Sequence, residues 1–251
     1  MIALTLALAV VVGVSLGLLG GGGSILTVPL LVYVAGQDPK VAIATSLLVV
    51  GVTSAAGALT HARAGRVQWR TGLIFGTAGM VGAYGGGRLA EYIPGTWLLL
   101  AFATIMAVTA VAMLRGRDEP TRDPDHQMRV GRIVLDGIVV GAVTGLVGAG
   151  GGFLVVPALA LLGGLPMSIA VGTSLVVIAM KSGAGLLGYL ASTSIDWALA
   201  GGVTAMAVIG SIIGGRLADR VPEDRLRKGF GWFVAVMAVV MLVQEIGGLL
   251  G

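Results

Sequence analysis

Stretches of apolar residues long enough to cross a lipid bilayer return along almost the whole chain, and that recurrence limits what it can become. Apolar segments fall near 1–19, 24–36, 41–61, 71–87, 97–114, 132–148, 152–164, 168–190, 197–215 and 229–249. A hydrocarbon core about 30 Å thick takes roughly 20 residues of helix to cross, and within it each backbone polar group must find a partner inside the protein. Only 11% of the residues are charged, against about 25% in a soluble domain, and the mean hydropathy is +0.99. A water-soluble fold of 251 residues has too little interior for that much apolar surface. The expected class is an all-α integral membrane protein, with the lipid bilayer as its solvent.

The chain repeats itself. GLLGGGGSILTVPLL at 17–31 matches GLVGAGGGFLVVPAL at 145–159, an offset of 128 residues. The offset holds without a gap onward. Thr45-Ser46-Leu47 meets Thr173-Ser174-Leu175, Trp69 meets Trp197, and GGGRLAEYIP at 85–94 meets IGGRLADRVP at 213–222. Between 17–94 and 145–222 there are 27 identities in 78 positions, more than shared composition produces. Internal duplication is a common way of building transporters. The expected organisation is a first repeat at 1–114, with a hairpin at 1–36 and spans 41–61, 71–87 and 97–114. A polar, proline-punctuated linker follows at 115–131. The second repeat covers 132–249, with a hairpin at 132–164 and spans 168–190, 197–215 and 229–249.

Basic residues set the orientation, because short cytoplasmic loops collect Lys and Arg. The loop at 61–70 holds Arg63, Arg66 and Arg70, while its counterpart at 189–198 holds no cation. One loop later the relation reverses: 88–96 carries Arg88 alone, and 216–228 carries Arg216, Arg220, Arg225, Arg227 and Lys228. Placing 61–70, the linker and 216–228 in the cytoplasm puts 13 of the 16 cations inside. Equivalent loops then lie on opposite sides, so the repeats are inverted and both termini lie outside, in a multi-pass protein of the cell inner membrane. Helix 41–61 must begin outside and helix 168–190 inside, so each first segment starts and finishes on one side. The second arms, 24–36 and 152–164, reach only ~20 Å at 1.5 Å per residue. Each unit is therefore read as a broken, re-entrant helical hairpin followed by three transmembrane helices.

The tips of the hairpins are glycine runs: Gly20, Gly21, Gly22, Gly23 and Ser24 in one, Gly148, Ala149, Gly150, Gly151 and Gly152 in the other. A helix break at membrane depth leaves free N–H groups at a positive dipole end, which suits an anion. Discontinuous helices at the midplane are where secondary transporters place substrate. The plainer role is a tight hairpin and close packing. Thr45, Ser46, Thr173 and Ser174 open the next helix of each unit and offer hydroxyls to the same site; their plainer role is interhelical or back-bonding hydrogen bonds. Lys181 is the charged residue deepest in an expected span, a position that defaults to function. Its repeat counterpart is Thr53. Snorkelling, a backbone carbonyl or Asp136 are the alternatives for its ammonium. His61 is placed at a cytoplasmic edge with no evident partner.

The paired G-L-x-G-x-G-G-G-x-[LI]-x-V-P signatures, the A-x-[AG]-T-S-L that follows and the G-[GS]-R-L-A segments resemble the TauE/SafE family, the sulfite or sulfonate exporter group, over essentially the whole chain. The resemblance implies an inner-membrane permease for small sulfur-containing anions such as sulfite or an organosulfonate. It carries onto Gly17, Gly20, Gly22, Gly23, Pro29, Thr45 and Ser46, and onto Gly145, Gly148, Gly150, Gly151, Pro157, Thr173 and Ser174. Gly152 stands where the first repeat has Ser24, which puts strict site symmetry in question.

Three classes of function compete. The leading one is a secondary transporter, most readily an exporter, moving a small anion by alternating access, with proton or ion coupling and a homodimer left open. An importer, or a permease for thiosulfate or a carboxylate, is the nearest alternative. A non-transporting membrane scaffold is the next. An enzyme is not expected, because the spans offer no nucleophile–base constellation. With no cysteine and two histidines, no metal or cofactor is expected, and the excess of cations follows from cytoplasmic loops rather than nucleic-acid binding.

Overall fold

The protein is described by a computed structural model over residues 2–90, 95–115, 130–147, 152–190, 194–218 and 220–250. Most of the linker and residues 148–151, which include Gly148, Gly150 and Gly151, lie outside the described residues. The described elements are helical: α1 (Ile2–Leu19), a 3₁₀ turn at Gly20–Gly23, α2 (Ser24–Pro29), a π turn at Leu30–Val34, α3 (Pro39–Arg63), α4 (Trp69–Ala90) and α5 (Gly95–Arg115). The second half gives α6 (Val130–Val147), α7 (Gly152–Pro157), a π turn at Ala158–Leu162, α8 (Met167–Leu190), α9 (Trp197–Ala218) and α10 (Glu223–Leu250). Among the described residues, Ile2–Leu19, Val41–Arg63, Met167–Leu187 and Trp197–Ala218 are long and apolar enough to cross a membrane. Outward-facing Leu59, Val81, Val108, Leu187 and Val236 are exposed; in water such a surface drives association, and in lipid it is the natural solvent face.

The first arm and its return form a helical hairpin. Gly23 packs back against Val12 and Leu16 of α1, and Leu30 and Leu31 share a buried cluster with Ala9 and Val12. Proline explains the π turns. Pro29 and Pro157 lack an N–H, so the helical ladder slips by one residue at that point. Ala35 N bonds the Leu30 carbonyl at 3.1 Å and Gln37 N the Leu31 carbonyl at 3.0 Å. The second unit repeats this pattern: Gly163 N bonds the Ala158 carbonyl at 2.9 Å and Leu165 N the Leu159 carbonyl at 3.1 Å.

The helices pair across the two halves rather than within them. α1 packs on α9 and α4 on α6. Gly13 lies on the Ala207 carbonyl and Gly17 on that of Ser211, while Gly210 and Gly214 lie on Val10 and Val14. Numbers rise together, so α1 and α9 run parallel. α4 and α6 also run parallel, with Gly137 on Phe75, Gly141 on Gly79, Gly82 on Ile138 and Gly86 on Ala142. A Cβ on Gly13, Gly82, Gly141 or Gly210 would collide with the carbonyl oxygen opposite, which is why small residues line these seams. By contrast α3 and α8 are antiparallel: Gly51 faces Ser182, Gly57 faces Leu175 and Gly185 faces Leu47. The last helix of each half, α5 and α10, also pack together. An element meeting its own repeat counterpart in antiparallel fashion, with the others exchanged crosswise, has the symmetry of a twofold axis lying across the helices.

A leucine at Gly82 must force α4 away from the α6 backbone. We expect Gly82→Leu to destabilise the purified protein by about 1–3 kcal/mol or more, read as a lower unfolding midpoint in detergent. Because the native chain has no cysteine, Ala64→Cys and Ser194→Cys can be labelled singly with a membrane-impermeant maleimide. They should react from opposite faces of the membrane, Ala64→Cys from the cytoplasm.

Candidate functional site

The first elbow begins at Gly20. Its φ of +69° lies in the left-handed region that glycine enters at no steric cost, and it stops α1 as a C-terminal glycine does. The 3₁₀ turn that follows turns the chain back into α2. Ser24 Oγ donates to the Gly21 carbonyl at 2.7 Å, and Thr27 Oγ1 donates to that of Gly23 at 3.4 Å.

This elbow is brought against the second repeat. A Cβ on Gly20 would stand 2.7 Å from Ser174 Oγ and 2.9 Å from Val156 of α7. A Cβ on Gly152, where α7 begins, would stand 3.0 Å from Ser24 Oγ and 3.0 Å from Ile178. Ser174, Ile178 and Lys181 follow one another at spacings of four and three, so they form one stripe of α8. The stripe passes Gly20, then Gly152, then the last turn of α6, where Lys181 Nζ donates to Thr144 Oγ1 at 2.9 Å. Lys181 thus takes a neutral hydroxyl, in place of the carbonyl or Asp136 that its sequence neighbourhood suggested. Asp136 instead stands 3.9 Å from Arg132, one turn away.

The other expected hydroxyls divide. Ser46 Oγ donates to the Ile43 carbonyl at 2.8 Å and Ser174 Oγ to that of Val171 at 2.7 Å, both back-bonds within their own helix. Thr173 faces away from the elbow: its Oγ1 accepts the Gln68 N–H at 3.0 Å and so ties α8 to the loop before α4. Thr45, its counterpart, is fully buried and its hydroxyl has no hydrogen-bond partner. The loop residue equivalent to Gln68 is Asp196, whose Oδ1 accepts from Ala198 N and Leu199 N at 3.1 Å each and caps α9 instead.

His61 is the residue whose partner sequence reading did not supply. It is fully buried, and its Nε2 lies 2.9 Å from the Gly17 carbonyl oxygen. A carbonyl only accepts, so Nε2 carries the proton. Gly17 belongs to the last turn of α1, where carbonyls have no intrahelical donor. The imidazole supplies one across 44 residues of sequence, a separation that no local pattern announces. Beside it Arg66 Nη2 donates to the Gly215 carbonyl at 3.3 Å, and Ser211 Oγ donates to that of Thr53 at 3.3 Å. The segment from His61 to Gln68 therefore holds the ends of α1, α8 and α9 together.

A separate cavity of about 220 Å³ lies at the α3–α8 crossing, lined by Leu47, Val52, Ala55, Ala179 and Leu186 among others. That apolar wall has nothing with which to hold an anion.

Comparison with known proteins follows the same lines. The family described as "Sulfite exporter TauE/SafE" matches residues 5–241. A "probable membrane transporter protein" of Xylella fastidiosa (strain Temecula1) is 37% identical over 240 residues, covering 92% of this chain and 91% of the relative. Proteins with the same description from Bacillus subtilis and Methanocaldococcus jannaschii are 26% and 28% identical, each covering 95% or more of both chains. No solved structure matches the chain.

His61→Leu should leave the Gly17 carbonyl buried without this donor, at a cost of about 1–3 kcal/mol. His61→Gln, which keeps an N–H donor, should recover part of the loss. Equal unfolding midpoints for the three proteins would mean that the hydrogen bond does not hold the elbow.

Proposed function

The chain belongs to the sulfite exporter TauE/SafE family of multi-pass membrane transporters, and on that premise we propose that it exports a small sulfur-containing anion, sulfite or an organosulfonate, by alternating access. The anion rests between the two glycine elbows. In this reading both termini are periplasmic, the loop at 61–70 and the linker are cytoplasmic, and the bilayer is the inner membrane.

The observation that carries the reading is that the first elbow and the start of α7 meet beside α8. The first elbow lies against Ser174, and the start of α7 lies against Ser24. The first elbow and the start of α7 thus meet beside the stripe of α8 that ends in an ammonium. An ammonium suits a tetrahedral or pyramidal oxyanion, whose oxygens accept charge-assisted hydrogen bonds. Irregular backbone at this depth is tolerated where it lines a cavity or is buried in protein.

Alternating access is supported by an inequality between matching contacts. The His61–Gln68 segment ties three helices together at one end of the bundle. Among the described residues its counterpart makes no matching tie: the Thr45 hydroxyl has no hydrogen-bond partner and Asp196 caps its own helix. In an inverted repeat, exchanging the two arrangements opens one side and closes the other. In the orientation proposed here, the tied end is the cytoplasmic one.

The test is counterflow in proteoliposomes. Unlabelled sulfite or a simple sulfonate inside should drive saturable uptake of the labelled anion. Gly20→Ala puts a side chain on a left-handed backbone and into Ser174, so it should lower that flux at least tenfold. Failure of every sulfur anion, with counterflow by simple carboxylates instead, would replace this substrate class. Failure of all of them would end the transport reading.

A further inference from the structure

The charge of the site is set by one side chain. Lys181 lies near the middle of α8, on the stripe that faces the elbows, and is partly buried. Among the described residues its hydrogen-bond partner is Thr144 Oγ1 at 2.9 Å. The Thr144 hydroxyl spends its own proton on the Gly141 carbonyl at 2.9 Å, so it can only accept from the lysine. An ammonium has three donors, and one is used here. Among the described residues no carboxylate balances it. Asp136, the acid on the same neighbouring helix, lies eight residues before Thr144, ~12 Å along the axis, beside Arg132.

A lone cation at membrane depth is costly unless an opposite charge joins it. One negative charge arriving at the ammonium makes the site neutral. A second would be left uncompensated where the dielectric is low. The repeat sharpens the point. A strictly duplicated site would carry a lysine on α3 as well and would suit a dianion. Thr53 occupies that position, with its hydroxyl fully buried and unpartnered.

We propose that Lys181 selects the transported species by charge, admitting monoanions and rejecting dianions of similar size. This rests on the anion-transport reading above. The chemical class is thus a singly charged oxyanion head, such as a monosulfonate or hydrogensulfite.

Counterflow competition with ethanesulfonate and ethane-1,2-disulfonate, both fully ionised near neutral pH, tests this in the intact protein. With labelled ethanesulfonate as the moving species, unlabelled ethanesulfonate should compete at a concentration at least tenfold below that needed of the disulfonate. Lys181→Met should lower ethanesulfonate flux at least tenfold, Lys181→Arg should keep the preference, and Thr53→Lys should shift it towards the disulfonate. Elution as a single species on size exclusion shows that each variant is folded. Equal competition by the two anions in the native protein overturns the proposal, whatever the variants do, as does an unchanged preference in folded Lys181→Met. If no sulfur anion moves at all, the substrate class itself has failed, and this selection falls with it.

Discussion

Hydrocarbon offers no hydrogen bonds, so each interruption of a membrane helix has to be answered by the protein. This chain interrupts its helices repeatedly, and much of its internal structure consists of those answers. Where α1 ends, the imidazole of His61 takes the Gly17 carbonyl. Where Pro29 and Pro157 remove a donor, the ladder shifts to the next carbonyl along, at the same place in both halves. Where the loop before α4 would leave an N–H of Gln68 bare, Thr173 accepts it. The breaks are affordable because their partners come from distant parts of the chain. That ties the geometry of the elbows to the packing of the whole bundle.

Much of this could be read from the residues alone, and the boundary of what could be read is physical. Helices of this class declare themselves by length and apolarity, and the duplication by identities at a constant offset. Arginines at 63, 66 and 70, set against none at 189–198, pointed to opposed repeats, and α3 and α8 do run antiparallel. Partner choice was not legible. Nothing local to 10–18 says that it lies along α9 of the other half, since glycine faces at seams are interchangeable until geometry selects among them. Thr173 and Ser174 look alike in sequence and are adjacent. A helix turns them 100° apart, so one faces the elbow and the other a loop. Lys181 was singled out by its depth, yet its partner lies 37 residues away, with no charge to betray it. His61 was read as a lone histidine at an edge for the same reason.

The two halves share a plan but not every detail. Serine at 24 against glycine at 152, threonine at 53 against lysine at 181, and leucine at 16 against threonine at 144 all fall around the elbows. The seams between helices keep their small residues in both copies: Gly82 and Gly210 match, as do Gly86 and Gly214. The framework therefore keeps its twofold character while the interior is free to become one-sided. A transported molecule has no such symmetry of its own, and a one-sided interior can grip it in a single orientation.

The crosswise seating of α1 on α9 has a consequence for how the chain is made. Ribosomal synthesis delivers the first helix long before the ninth, so the first half waits in the bilayer with its glycine face uncovered until nearly the entire polypeptide has emerged. A half-length chain would be left permanently incomplete, unless a second copy inserted upside down beside it and lent the missing helix. Such a pair of mirror-seated copies is the smallest assembly that closes every seam.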